Sequence, residues 1–305
     1  MKIAIIGAGA VGLYYGALLA RQNPDTHFLA RSDYQSLQSR GIEVLSPHGD
    51  FVLNPVNVHN SPESIGACDL VIISLKATAN QALLSILPPL LHAETTLLTL
   101  QNGLGNEEFL AERYGGKRTL GGKCFVCLNR VAPGMVKHVG HGVIQLGEWQ
   151  RPAQERTHRL GELINCAGIK CEVRDDIKEV LWRKLTWNIP FNGLSIAAGG
   201  IDVAQILSKP ELLDRTRKLM HEVIAIARAS GVAIEEEYAD FQIERTTSMG
   251  PYKPSSLLDY EAGREVEIEP IWGEPLRCAR NAGIPTLELS QLYKQLRQEC
   301  VSKSS

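Results

Sequence analysis

The first twelve residues, Met-Lys-Ile-Ala-Ile-Ile-Gly-Ala-Gly-Ala-Val-Gly, constrain the fold more than any other stretch. Ile3 to Ile6 is a short apolar run of the kind that forms a strand buried on both faces. It breaks at once into Gly7-x-Gly9-x-x-Gly12, and the stretch from Ala10 to Arg21 is compatible with a helix. Strand, glycine turn and helix in this order open a βαβ unit that binds a dinucleotide. Gly7 permits the tight turn, Gly9 admits a pyrophosphate to the backbone, and Gly12 lets helix pack close on strand. The helix N-terminus offers N–H groups and a positive dipole end to the phosphates, so Ala8, Ala10 and Val11 join the three glycines as candidate cofactor-binding residues. The competing reading is a tight βα turn that binds nothing.

Further buried runs follow. His27 to Ala30 reads as the second strand and ends in Arg31-Ser32. In such folds this position distinguishes the two nicotinamide nucleotides. A carboxylate there binds the ribose 2′-hydroxyl, whereas a cation accepts a 2′-phosphate. The run ends in Arg31, which predicts NADP. Asp33 would serve NAD if the strand were placed differently. Ile42–Leu45 and Phe51–Val58 alternate around Pro47-His48-Gly49-Asp50, a hairpin signal. Asp69–Lys76 is another buried strand, with Lys76 at the end where ligands sit in open parallel sheets. Thr95–Leu100 is the next and leads into Gln101-Asn102-Gly103-Leu104-Gly105, which places Asn102 toward a nicotinamide or forms a plain Asn-Gly turn. Residues 119–149 read as an antiparallel far edge of the sheet, and Ile169–Val173 as a last strand.

From Ile177 onward the periodicity is helical, with segments expected at 182–192, 210–230, 234–245, 256–263, 272–282 and 286–300. The expected plan is therefore an α/β Rossmann-type N-terminal domain with a mostly parallel sheet (1–175), followed by an all-α C-terminal domain (176–305) that holds substrate and catalytic groups.

Composition narrows the function classes. A formal charge of −2 provides no bulk field for nucleic acid or an anionic membrane. No apolar run approaches the ~20 residues of a spanning helix. A strand expected to begin at residue 2 would leave no space for a signal peptide, so none is expected. The seven cysteines are odd in number and scattered, which predicts reduced thiols and a cytoplasmic protein. Cys124-x-x-Cys127 has no second pair at ligand spacing and reads as strand, so no metal is expected.

The helical half carries Lys184-x3-Asn188-x3-Asn192, one ammonium and two amides at steps of four along one helix stripe. A lysine so placed can protonate a developing alkoxide while hydride arrives from a cofactor, and the amides can orient the substrate. Trp182, Leu185, Trp187, Ile189 and Phe191 make the stretch too apolar for a surface helix. Pro190 and Gly193 are expected to kink or interrupt it. Further on, Ser255-Ser256 reads as a helix N-cap and Gly263 as the stop. Glu265, Glu267 and Glu269 would share one side if their segment were extended.

These features together resemble the ketopantoate reductase family. The matching residues are the GAGAVG turn at 7–12, Lys76, Gln101-Asn102-Gly103, Lys184–Asn188–Asn192, and Ser-Ser-x-x-Asp-x-Glu-Ala-Gly-Arg followed by Glu267-Ile268-Glu269. They run in order through nearly the whole chain. The resemblance implies NADPH-dependent reduction of 2-dehydropantoate to pantoate, a step toward pantothenate and coenzyme A. It implies Lys184 as general acid, Asn188, Asn192 and one of Ser255 or Ser256 as substrate ligands, and Glu267 at a substrate hydroxyl or in the lysine's network. Asn102 would lie near nicotinamide and ketone, with Arg31 and Lys76 on the adenosine side. The partner expected is a small-molecule 2-keto acid, and a homodimer is compatible. Two departures stand out. The segment from Ser-Ser to Glu267 is one residue shorter than the family pattern, and Asp202 stands where some members carry a substrate-binding asparagine. A reductase of another branched 2-keto acid and a non-catalytic NADP-binding sensor are the alternatives.

Overall fold

The computed structural model describes residues 1–302. The chain forms two compact units: Met1–Gln101 with Asn106–Ile177, and Asn102–Gly105 with the chain from Lys178 onward.

The first unit comprises, in chain order, β1 (Ile3–Ile6), α1 (Ala10–Gln22), β2 (Thr26–Leu29), α2 (Tyr34–Arg40), β3 (Ile42–Leu45), β4 (Phe51–Leu53), β5 (Asn57–His59), β6 (Leu70–Ile73), α3 (Leu83–Ile86), β7 (Thr96–Thr99), α4 (Asn106–Tyr114), β8 (Thr119–Ala132), β9 (Met135–Glu148), α5 (Glu155–Cys166) and β10 (Cys171–Val173). All ten strands join one sheet in the order β4-β3-β9-β8-β7-β6-β1-β2-β5, with β10 also beside β9. Pairings are parallel except β8 with β9 and β3 with β4. β1 is buried on both faces, as its unbroken apolar run predicts: Ile3 and Ile5 pack with α1, and Ala4 and Ile6 with the opposite core.

The sheet differs from expectation in two places. The run from Phe51 to Val58 does not form one hairpin arm. Only Phe51–Leu53 pairs with β3, while Asn57–His59 crosses to pair with β2. Nor are residues 119–149 the sheet's far edge. The free side of β9 is taken near its start by β3 and near its end by β10. The two 14-residue strands carry register shifts at Phe125/Val126, Cys127/Leu128 and Arg130/Ala132. Such bulges bend a strand, and the hairpin curls until it meets α1, where Tyr14 Oη lies 3.1 Å from Nδ1 of the buried His138. With sheet on two sides, α1 has little solvent face to make polar, which explains its weak amphipathy.

The second unit is helical: α6 (Ile177–Ala197), α7 (Val203–Ser208), α8 (Pro210–Ala229), α9 (Tyr238–Thr247), α10 (Ser255–Glu261), α11 (Glu274–Ala282) and α12 (Leu287–Ser302), with a π-helical turn at Glu269–Gly273 running into α11. Pro190 and Gly193 do not interrupt α6. Gly193 has a packing role, because a Cβ there would stand 3.0 Å from the indole nitrogen of Trp272 and 2.6 Å from Leu292. That indole donates to the Ile189 carbonyl at 3.0 Å. Among the described residues no helix is long and apolar enough to cross a membrane.

One buried charge joins the end of β9 to α5. Glu148 accepts from Arg156 at 2.8 and 2.6 Å, from Arg151 at 3.1 and 2.9 Å and from Thr157 at 2.6 Å. Burial alone would raise its pKa, but the arginines and the hydroxyl outweigh burial and hold it below the ordinary 4.5. Glu148→Gln is therefore expected to lower unfolding free energy at neutral pH by about 2 kcal/mol, less than for a fully buried pair because both guanidinia reach solvent. The depressed pKa makes this contribution complete above the unfolded carboxylate value and lost as pH falls through the folded one. Urea titrations should show the gap between wild type and variant closing below about pH 4.

Candidate functional site

At the carboxyl end of β1 the chain turns through Gly7, whose φ is +112°. A Cβ at Gly7 would stand 2.8 Å from the Leu75 nitrogen, and one at Gly12 would stand 2.0 Å from the Gly7 oxygen and 2.4 Å from Ser74 Oγ. The Ser74 hydroxyl, at the end of β6, donates to the Gly7 carbonyl at 2.9 Å and so clamps the turn. Ser74 is a positioning group that no motif in the sequence marks. Gly9 differs from the other two glycines. It is the N-cap of α1 with φ −81°, and a Cβ there would meet nothing within 4 Å. The protein's own packing does not require glycine at 9. The α1 N-terminus has no side-chain cap and no acidic residue in its first turn, so its dipole and first N–H groups suit an anion. A pyrophosphate fits this cradle, with the backbone of Gly7 to Gly12 as its wall.

Beyond β2, Arg31 and Ser32 are exposed, whereas the Asp33 side chain is buried. Asp33 occupies the N-cap position of α2 but does not cap it. Its carboxylate accepts from Arg130 at 2.5 Å, Ser32 Oγ at 2.9 Å and the Gly134 N–H at 3.1 Å. Asp33 is thus engaged by groups of the protein itself. Lys76 is partly exposed after β6, at the N-cap of a 3-10 turn Ala77–Ala82.

The remaining predicted site residues belong to the second unit. Lys184 and Asn102 are 82 positions apart, yet the ammonium donates to Asn102 Oδ1 at 2.8 Å. Asn102–Gly105 belongs to the helical unit because it lies on the π turn. The Leu104 N–H donates to the Pro270 carbonyl at 2.8 Å, and Gly103 (φ +80°) packs so closely that a Cβ would stand 2.3 Å from that same oxygen. Only glycine fits there, so the Asn-Gly pair is a docking element as well as a turn.

One turn beyond Lys184 is Asn188, and one turn further Asn192, both buried. Asn192 Oδ1 accepts the Ser256 N–H at 2.8 Å and the Ser255 hydroxyl at 3.5 Å. The serine pair is therefore not the N-cap of α10. Pro254 holds that position without a side-chain cap, and the serines are the first two helical residues, capped by Asn192 from α6. Ser255 is exposed and Ser256 is buried. Glu267 is buried, immediately before the helical turn that begins at Ile268. Glu269 lies within the π turn and accepts from Tyr293 Oη at 2.7 Å, so the three glutamates do not share one extended face. Asp202 is a helix cap: its carboxylate accepts the Gln205 N–H at 2.8 Å at the start of α7. No group of three or more His, Cys, Asp or Glu among the described residues could hold a metal.

A family model described as ketopantoate reductase PanE/ApbA matches residues 3–151, and one described as its C-terminal domain matches residues 176–299. A 2-dehydropantoate 2-reductase of Nostoc sp. is 36% identical over 97% of this chain and 94% of its own length. The crystal structure of 2-dehydropantoate 2-reductase from Geobacter metallireducens is 44% identical, with a TM-score of 0.95 over 98% of this chain and 99% of that one. The fold is also shared with D-mandelate dehydrogenase, solved with NADH and anilino(oxo)acetate, at a TM-score of 0.90 and 20% identity over the whole of both chains.

The contrast among the glycines yields a test. Gly9→Ala should change thermal stability without nucleotide by no more than about 2 °C, because the added methyl meets open space and the loss of a glycine N-cap is offset by the stiffer unfolded chain. Dinucleotide affinity should fall by about tenfold or more, because the methyl stands where the pyrophosphate approaches. Calorimetry and fluorescence titration measure the two effects separately.

Proposed function

The chain belongs to the ketopantoate reductase family, and on that premise we propose that it reduces 2-dehydropantoate to pantoate with NADPH, using Lys184 as general acid. The observation that carries this reading is the Lys184–Asn102 hydrogen bond, which fixes an ammonium within a largely apolar helix beside two further amides. The nicotinamide nucleotide, when bound, supplies the hydride.

Lys184 then provides the proton. An ammonium has three N–H donors, and Asn102 orients it through one of them. As the ketone carbon accepts hydride, its oxygen becomes an alkoxide, and a proton from Lys184 Nζ quenches the charge as it forms. Asn188, on the same stripe, orients the 2-keto acid. Asn192 acts partly through α10, since its carbonyl holds the start of that helix and so sets the serines in place. Of those serines the exposed Ser255, not the buried Ser256, is the one assigned to the substrate carboxylate. Glu267 is assigned to a substrate hydroxyl.

The preference for NADPH rests on Arg31, exposed directly after β2, together with the commitment of Asp33 to other partners. The feature that pointed to a different 2-keto acid, a carboxylate at 202, is accounted for by its role as a cap, which leaves 2-dehydropantoate as the substrate this reading supports.

The test is oxidation of NADPH with 2-dehydropantoate beside a panel of other 2-keto acids, with NADH as control. Strong preference for 2-dehydropantoate and NADPH is expected. Lys184→Ala should lower kcat at least a hundredfold while NADPH affinity stays within about twofold. Turnover of another keto acid alone would overturn the substrate assignment. Tight NADPH binding with no turnover of any acid would overturn the enzyme reading in favour of a sensor.

A further inference from the structure

Arg130 lies near the far end of β8, 97 positions beyond the residue it contacts. Its guanidinium is about a third exposed, and one Nη2 donates to Asp33 Oδ1 at 2.5 Å. The Ser32 hydroxyl donates to the same carboxylate oxygen at 2.9 Å, so guanidinium and hydroxyl are neighbours around one atom. Arg31 precedes them in the chain, on the exposed turn between β2 and α2.

Asp33 is a fixed post for this group. Burial alone would raise its pKa, but Arg130, Ser32 and the Gly134 N–H hold it below its ordinary value of 3.8, so it stays ionised at neutral pH. An aspartate at a helix N-cap ordinarily accepts N–H groups of its own first turn. Here that role is given up to hold the curled hairpin tip, through Gly134, and the arginine. Arginine has five N–H donors in a fixed fork, and the contact with Asp33 uses one of them.

We propose that Arg130, anchored by Asp33, is a second guanidinium for the 2′-phosphate of the dinucleotide, acting with Arg31 and the Ser32 hydroxyl. This rests on the NADPH reading above and deepens it. The residues that follow the second strand of a dinucleotide-binding sheet meet the adenosine ribose, and a nearby arginine accommodates a 2′-phosphate. The curl of the β8–β9 hairpin delivers a second arginine to that turn from a distant part of the sequence. The Asp33 carboxylate offsets the charge of Arg130, so what Arg130 adds beside Arg31 is a fixed set of N–H donors directed at the phosphate oxygens. The buried carboxylate also keeps Arg130 from swinging into solvent, so less side-chain freedom is lost on binding.

The experiment compares equilibrium binding of NADPH and NADH by wild type, Arg130→Gln, Arg130→Lys and Arg31→Gln. Arg130→Gln should weaken NADPH about tenfold and leave NADH within about twofold. Arg130→Lys keeps a cation for Asp33 but not the fork, and should fall between. Equal weakening of both nucleotides by Arg130→Gln would mean that Arg130 only holds the turn in shape, and would overturn the proposal. An unchanged NADPH affinity would overturn it as well. If Arg130→Gln fails to fold, Arg130→Lys decides: an NADPH-to-NADH affinity ratio equal to wild type contradicts the proposal. If Arg31→Gln abolishes the NADPH preference while both Arg130 variants retain it, the NADPH reading stands and this inference alone falls. A wild type without any NADPH preference defeats both.

Discussion

The hydrogen bond from Lys184 to Asn102 is the contact on which the candidate site depends. It holds an ammonium on a helix of tryptophan, leucine, isoleucine and phenylalanine, where a charge needs acceptors to offset the loss of water. The acceptor comes from a four-residue segment that leaves the end of the parallel sheet and packs with the helices instead. That packing is built from small pieces: a glycine that admits the Pro270 carbonyl, the Leu104 N–H that donates to it, and a π turn that presents it. Asn192 plays a comparable part nearby, where its side-chain carbonyl replaces a conventional cap on α10. Asn102 and Asn192, two of the polar groups assigned to chemistry, thus also hold other groups of the protein in place.

At the other candidate centre the constraint is steric. Gly7 and Gly12 cannot carry a side chain because turn, helix and the end of β6 lie too close together. Gly9 could carry one without touching the protein. A tight turn that bound nothing would need the first and third glycines but not the second. That difference supports the reading of residues 7–12 as a phosphate cradle, and it comes from geometry that a motif match alone does not contain.

Much of this was legible in the sequence, for definable reasons. β1 and β6 are continuous apolar runs because both faces are covered, and β7 keeps an apolar centre between threonines. α8 is long and amphipathic enough for its periodicity to show, whereas α6 is legible from its apolar content rather than from any polar face. The Lys184–Asn188–Asn192 stripe follows from helical spacing alone. Other features depend on tertiary contacts the local pattern does not encode. α2 and α7 are six or seven residues long, too short for periodicity to settle. β5 departs from the hairpin because β2 offers it a partner, and α6 continues through Pro190 within packing that includes Trp272. Bulges in β8 and β9, invisible as composition, bring Arg130 to Asp33 and His138 to Tyr14. The serines of α10 carry the composition of a cap, but a residue 64 positions away supplies the cap to Ser256.

If Asn102 serves to orient the Lys184 ammonium, the two side chains act as one unit. The most direct measurement is a double-mutant cycle on kcat/KM with Lys184→Ala, Asn102→Ala and the double variant. If the amide works by orienting the ammonium, removing Asn102 once the lysine is gone should cost little. The cycle should then show a coupling of about 1.5 kcal/mol or more. Losses that add to within about 0.5 kcal/mol would mean that the two side chains act independently, and would contradict the role of Asn102 in orienting Lys184.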